Sequence, residues 1–62
     1  MREWLREKRR AKAWTQEEVA KRAGIARSYY TRIERGEYRV PALTAKKIAN
    51  ALSCDWQQFY EF

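Results

Sequence analysis

The sequence predicts an all-α protein, a compact bundle of five short helices. Apolar residues recur three or four positions apart, and no segment alternates apolar and polar residues as a half-buried strand does. Few helix-breaking residues interrupt the 62-residue chain: Gly24, Gly36 and Pro41. A chain of this length has material for one small hydrophobic core, so we expect a single domain over residues 1–62.

The first two helices are predicted at about 2–12 and 16–23. The first consists of good helix formers and has a thin apolar stripe. Before the second, Thr15 and Glu18 have the spacing of a capping box, in which each side chain satisfies a backbone donor. Gly24 ends the second helix because glycine readily takes the left-handed conformation that closes a helix.

Three further helices are predicted, at about 27–35, 42–52 and 56–61. The first of these turns Tyr30 and Ile33 inward and ends at a glycine. Pro41 suits the first turn of the next helix, where its missing N–H would be unpaired anyway. Asp55, followed three residues later by Gln58, indicates the cap of the last helix.

Composition favours an anionic partner and argues against catalysis. The chain carries 14 Lys and Arg against 8 Asp and Glu, a net charge of +6 at pH 7. This balance makes nucleic acid the first candidate partner. One cysteine and no histidine leave no disulfide framework, no usual zinc ligand set and no imidazole base. We therefore expect no enzymatic activity, no cofactor and no metal.

The sequence also argues against a membrane protein. No apolar run approaches the roughly 20 residues that a bilayer crossing needs. The first residues are too charged for a signal peptide, and the first helix is too thinly apolar for firm binding to a membrane surface. We expect a cytoplasmic protein in which Cys54 is a small core hydrophobe rather than a redox sensor.

Residues 16–35, QEEVAKRAGIARSYYTRIER, predict two short helices joined at a glycine turn. Ala20 is small enough for a close helix crossing, and Gly24 tolerates a positive φ. This is the spacing of a helix-turn-helix, whose second helix enters the major groove of DNA. The stretches TQEEVAKRAGIARSYYTRIERG and PALTAKKIANALSCDWQQF resemble the Cro/lambda-repressor family of bacterial and phage regulators, also called the XRE family. The resemblance covers about Leu5 to Tyr60 and implies a lambda-repressor-like fold that binds double-stranded DNA.

The third helix, 27–35, is the expected recognition helix. Because Tyr30 and Ile33 face inward, the 3.6-residue period turns the opposite face outward. Arginine is the commonest bidentate reader of guanine, and the family reads bases from the positions that match Arg27, Ser28 and Arg32. The expected base-contacting residues are Arg27, Ser28, Tyr29, Thr31 and Arg32.

Other residues are expected to hold the DNA backbone: Gln16, Arg35, Tyr38 and Arg39. Gln16 opens the second helix, whose N-terminus offers N–H groups and a positive dipole to a phosphate. The family uses the matching glutamine in this way, and Arg35 and Arg39 resemble family positions that contact the sugar-phosphate backbone. Tyr38 would add a hydroxyl contact. The family also pairs the residues matching Arg9 and Glu34 in a partly buried salt bridge.

The expected function is a sequence-specific transcription regulator, a repressor that binds a palindromic operator as a homodimer on DNA. The C-terminal segment has no basic residue and supplies the aromatic side chains of the expected dimer interface: Trp56, Phe59, Tyr60 and Phe62. Trp56 and Phe59 are also candidates for the protomer's own core. Two alternatives remain, an antitoxin or control protein of a mobile element and a protein-interaction adaptor that does not bind DNA. The charged outward face of the third helix argues against an adaptor, which would present an apolar patch there.

Overall fold

The computed structural model describes residues 1–37 and 39–60. Five helical elements follow in chain order: α1 (Glu3–Ala11), α2 (Gln16–Ala23), α3 (Arg27–Glu34), α4 (Ala42–Leu52) and a C-terminal 3-10 helix (Trp56–Tyr60). No strand occurs within the described ranges. The all-helical prediction is therefore confirmed, whereas the predicted fifth α-helix at 56–61 is instead a 3-10 helix of five residues.

The C-terminal segment is tighter than an α-helix because it is short and held at both ends. Asp55 Oδ1 accepts a hydrogen bond from the Gln57 N–H at 3.0 Å, and the Asp55 carbonyl accepts one from the Gln58 N–H at 3.1 Å. At the other end, the Tyr60 hydroxyl donates to the Val40 carbonyl at 2.6 Å. Short anchored segments of this kind commonly adopt the 3-10 helix, which has three residues per turn.

The core fills the space that α2, α3 and α4 enclose, and α1 closes one side. Its largest fully buried side chains come from all four α-helices: Tyr30, Leu5, Ile33, Ile48 and Val19. The 3-10 helix adds Phe59, whose ring meets Trp4 of α1 edge-to-face with centroids 4.9 Å apart. The C-terminal segment is thereby part of the same core as the helix-turn-helix.

The junction of α2 and α3 follows the predicted local signals, with one difference. Thr15 Oγ1 accepts the Glu18 N–H at 3.1 Å, but the Glu18 carboxylate accepts from Arg22 at 2.7 Å instead of returning to the cap. Gly24 closes α2 in the left-handed conformation at φ 73°. Ala26 then precedes α3 in an extended conformation without a capping side chain, so α3 begins at Arg27.

The end of α3 is held by the residue that precedes α1. The Arg2 N–H donates to the Glu34 carbonyl at 2.8 Å, and the Arg2 guanidinium donates to the Ile33 carbonyl at 2.7 Å. These bonds satisfy carbonyls that a helix C-terminus leaves without an intrahelical partner. The C-terminal end of α3 is thus fixed to the segment before α1, which helps to set the direction of its outward face.

Candidate nucleic-acid interface

One face of α3 turns a row of polar side chains away from the core. Tyr30 and Ile33 are fully buried, as predicted. The residues exposed on the opposite side are Arg27, Ser28, Arg32 and Arg35. The first turn of α3 carries Arg27 and Ser28 and no acidic residue. This face therefore presents guanidinium groups and a hydroxyl, which are hydrogen-bonding groups of the kind that contact base edges and phosphates.

Two of the predicted base-contacting residues lie at the edge of that face and are half-buried. Tyr29 packs against the hydrophobic core. Thr31 donates a hydrogen bond from its hydroxyl to Gln16 Oε1, at 2.9 Å. Their side chains are consequently less accessible to a base edge than those of Arg27 and Arg32.

The loop after α3 carries the predicted backbone-contacting arginines. Arg39 is exposed. Arg35 lies 3.7 Å from Glu37, and its side chain is 61% exposed. An exposed pair of this kind contributes little to stability and is easily exchanged for a phosphate. Tyr38, which was predicted to join them, lies outside the described residues.

A buried ion pair joins α1 to α3 directly behind this face. Arg9 Nε lies 3.0 Å from Glu34 Oε2, and Arg9 Nη2 donates to Glu34 Oε1 at 3.0 Å, so the pair predicted from the resemblance is present and bidentate. The Glu34 side chain is only 3% exposed and that of Arg9 14%. Arg9 also donates to the Trp14 carbonyl at 2.9 Å, which fixes the entry to α2.

The same carboxylate reaches the start of α2. Gln16 Nε2 donates to Glu34 Oε1 at 3.1 Å, while Gln16 Oε1 accepts from Thr31. This connection was not expected from the sequence, which assigned Gln16 to a phosphate and Thr31 to a base. The helical period of the sequence does indicate part of this network. Thr31 lies three positions before Glu34, so the two side chains are neighbours on α3.

Electrostatics around Glu34 favour its charged form. Burial by itself would raise the pKa of Glu34, but hydrogen bonds from Arg9 and Gln16 and the nearby guanidinium charge outweigh burial and hold the pKa below its ordinary value. Tyr30 lies beside this pair with its hydroxyl buried, and within residues 1–37 and 39–60 no group completes a hydrogen bond with that hydroxyl. Burial and the neighbouring carboxylate raise the pKa of Tyr30, so its phenol is neutral.

We expect the free energy of unfolding to fall when the pH is lowered below about 4.3, the ordinary pKa of glutamate. Because the folded-state pKa of Glu34 is depressed, its stabilising contribution is present above that value and is lost as the pH falls towards the folded pKa. Urea denaturation at a series of pH values measures the free energy of unfolding. An NMR titration of the Glu34 carboxyl carbon measures its pKa in the folded protein. A Glu34 midpoint at or above the ordinary value would contradict the assignment.

The side chains predicted to form the dimer interface differ in how far they are exposed to solvent. Phe59 is only 8% exposed and belongs to the protomer's own core. Trp56 is half-buried beneath Lys46, whose Nζ lies 5.0 Å from the ring centroid. Tyr60 is 39% exposed, and Phe62 lies outside the described residues. Among the described residues of this segment, the apolar surface open to a partner therefore comes from Tyr60 and the exposed part of Trp56.

A concave surface lies between α4 and the 3-10 helix. This open cleft of about 420 Å³ is lined by Lys46, Lys47, Ala49, Asn50, Cys54 and Trp56. Cys54 is half-buried and packs against the core, and burial raises the pKa of its thiol. A thiol of raised pKa is a weak nucleophile, in keeping with the predicted packing role.

Among the described residues, no three His, Cys, Asp or Glu side chains converge as a metal site requires. None of the described helices combines the length and apolar character that a bilayer crossing demands.

Comparison with known proteins gives similarity along nearly the whole chain. The model of a helix-turn-helix family matches residues 5–59. A Bacillus subtilis (strain 168) protein named "Uncharacterized HTH-type transcriptional regulator YqaF" is 49% identical over 61 residues, which cover 98% of this chain and 80% of that protein. A Methanothermobacter thermautotrophicus protein, also named as an uncharacterized HTH-type transcriptional regulator, is 40% identical over 52 residues, or 84% of this chain and 75% of that one. No solved structure matches the chain.

Proposed function

Because the chain belongs to the XRE-type helix-turn-helix family, we propose that it is a repressor that binds a palindromic operator sequence-specifically as a homodimer. The family and the names of its relatives support a DNA-binding transcription regulator in general. The observation that carries the finer proposal is the outward face of α3, where Arg27, Ser28 and Arg32 are exposed opposite the buried Tyr30 and Ile33. A helix with this division of faces can enter a major groove without disturbing the core that supports it.

In the proposed complex, Arg27 and Arg32 read guanine bases. They are five positions apart, which corresponds to about 7.5 Å along the helix axis and to roughly two base-pair steps. Each guanidinium can donate two hydrogen bonds to guanine O6 and N7. Ser28 adds a contact in the first turn, and Tyr29 contributes from the edge of the face.

Phosphates on either side of the groove are held by Gln16 at the start of α2 and by the arginines around the loop after α3. These arginines, Arg35 and Arg39, are exposed. Contacts of this kind position the protein on duplex DNA but carry no sequence information themselves. Specificity in the proposal therefore rests on α3, and affinity rests on both groups.

A homodimer is proposed because one copy of α3 reads one half-site only. Half-site centres one helical turn apart are separated by about 34 Å. The Cα trace measures 25 Å along its longest axis, which is less than this separation, so two copies can occupy adjacent half-sites without overlap. We propose that the C-terminal segment forms the contact between the two copies. Tyr60, Phe62 and the exposed part of Trp56 would contribute to this interface, and Phe59 supports it from the core. Such a regulator acts in the cytoplasm without a cofactor and without enzymatic activity.

Selection of bound sequences from a pool of random duplex DNA tests this function. We expect enrichment of an inverted repeat whose half-sites contain guanine and whose centres are about one helical turn apart. The matched control is the same selection with the variant that carries both Arg27→Ala and Arg32→Ala. A wild-type protein that enriches no sequence at moderate ionic strength would contradict the proposal and favour the adaptor alternative, whereas a single unrepeated site would contradict only the palindromic dimer.

The Arg39→Ala variant is expected to bind every duplex sequence more weakly by a similar factor. Loss of one phosphate contact should lower the slope of log K against log salt concentration by about one unit. Titrations at several salt concentrations, on the selected operator and on a random duplex, measure this effect. Lys47→Ala removes the same charge beside the cleft on α4, away from α3, and serves as the control. An unchanged slope for Arg39→Ala would remove Arg39 from the phosphate contacts.

A further inference from the structure

We propose that Thr31 is a positioning residue that acts through Gln16 and does not read a base. Its hydroxyl and the Glu34 carboxylate together hold the Gln16 carboxamide so that one amide N–H is presented to a DNA phosphate. The inference rests on the proposed function, since it concerns how that protein holds the DNA backbone.

Two hydrogen bonds define the orientation of the Gln16 side chain. Thr31 Oγ1 lies 2.9 Å from Gln16 Oε1, and Gln16 Nε2 lies 3.1 Å from Glu34 Oε1. The three side chains join the first residue of α2 to two adjacent turns of α3. Both ends of the carboxamide are therefore tied to the recognition helix.

The reverse orientation of the amide is excluded by Glu34. An ionised carboxylate only accepts hydrogen bonds, so it requires the nitrogen end of the amide and repels the oxygen end. Arg9 binds the same carboxylate through two nitrogens at 3.0 Å and keeps it charged. With the nitrogen so directed, the carbonyl oxygen of Gln16 is the group that meets the Thr31 hydroxyl.

This arrangement leaves one amide hydrogen of Gln16 for an acceptor outside the network. A primary amide carries two N–H donors, and Glu34 uses one of them. The side chain of Gln16 is half-buried and lies at the N-terminus of α2, where the first backbone N–H groups also lack an intrahelical partner. Phosphate is the anion that such a group of donors accepts from duplex DNA.

The acidic side chains near this N-terminus make the orientation more important. Glu18 is drawn away by Arg22, which lies 2.7 Å from its carboxylate, but Glu17 remains exposed in the first turn and opposes an incoming phosphate. A correctly directed amide hydrogen compensates for part of that repulsion. The Thr31 hydroxyl, which is already donating to Gln16, has no hydrogen left to donate to a base acceptor.

The test compares Thr31→Val, which removes the hydroxyl, with Thr31→Ser, which keeps it. Each substitution is made in the wild-type protein and in the Gln16→Ala variant, and affinities are measured by fluorescence anisotropy on the selected operator and on a random duplex of equal length. We expect Thr31→Val to weaken binding to both duplexes by about fivefold, as loss of one hydrogen bond does. We expect Thr31→Ser to restore affinity and Thr31→Val to have no further effect once Gln16 is alanine. Urea denaturation verifies that each variant is folded.

The other outcomes overturn the inference in different ways. A Thr31→Val protein with altered preference at one operator position would make Thr31 a base reader. Additive losses from Thr31→Val and Gln16→Ala would show that the two side chains act independently. Unchanged DNA affinity after Gln16→Ala would overturn the positioning role and leave the proposed regulator intact. A wild-type protein that binds no duplex would overturn the proposed function and the inference together.

Discussion

The Arg9→Ala variant is expected to lose about 3–5 kcal/mol of unfolding free energy, because it leaves the buried Glu34 carboxylate without its cation. The Glu34 side chain is 3% exposed, so water cannot replace the two guanidinium hydrogen bonds of 3.0 Å that it loses. A chain of 62 residues has in total about 3–9 kcal/mol of stability at typical values per residue. The loss therefore removes a large share of the total stability, and urea denaturation followed by circular dichroism measures it.

A second ion pair on α1 provides the control for Arg9→Ala. Arg6 lies 3.6 Å from Glu3, whose side chain is 62% exposed, and Arg6→Ala should cost about 1 kcal/mol or less. The double variant Arg9→Met with Glu34→Met removes both charges and should recover much of the loss, since an apolar pair of similar volume fits the same seam. Equal effects of Arg9→Ala and Arg6→Ala, or a double variant no better than Arg9→Ala, would show that charge burial does not control stability here.

Local signals predicted the helices well wherever one residue type decides the backbone. Gly24 ends α2 at a φ of 73°, and Thr15 caps the same helix through its side chain. The burial of Tyr30 and Ile33 followed from their spacing, and this determined the outward face of α3. These features depend on neighbours within about one helical turn, which is the range that a sequence pattern reports directly.

The features that the sequence predicted less well depend on partners far along the chain. Whether residues 56–60 form an α-helix or a 3-10 helix depends on the bond from Tyr60 to Val40, 20 residues earlier. Glu18 has the spacing of a capping box, but Arg22 competes for its carboxylate four residues on. The Arg9–Glu34 pair, separated by 25 residues, was expected only through the family resemblance, because no local pattern brings α1 against α3.

The Arg27→Ala variant is expected to lose affinity for the selected operator by about 5- to 150-fold, the equivalent of 1–3 kcal/mol for one bidentate base contact. Arg27 is the first residue of α3, is exposed, and has no acidic neighbour in that turn. The helix that carries it is fixed at its start by the Gly24 turn and at its end by Arg2. A random duplex, which offers only phosphates to the same guanidinium, should lose far less affinity.

The Arg27→Lys variant separates the charge of this side chain from its geometry. Lysine keeps the positive charge but lacks the planar fork that donates two parallel hydrogen bonds to one base. We therefore expect Arg27→Lys to retain the salt dependence and most of the affinity for a random duplex, and to lose preference for guanine at one position in each half-site. Equal losses of Arg27→Ala on every sequence, fully repaired by Arg27→Lys, would make Arg27 a phosphate contact. Base reading would then depend on Arg32, since that side chain lies farther along the same exposed face of α3.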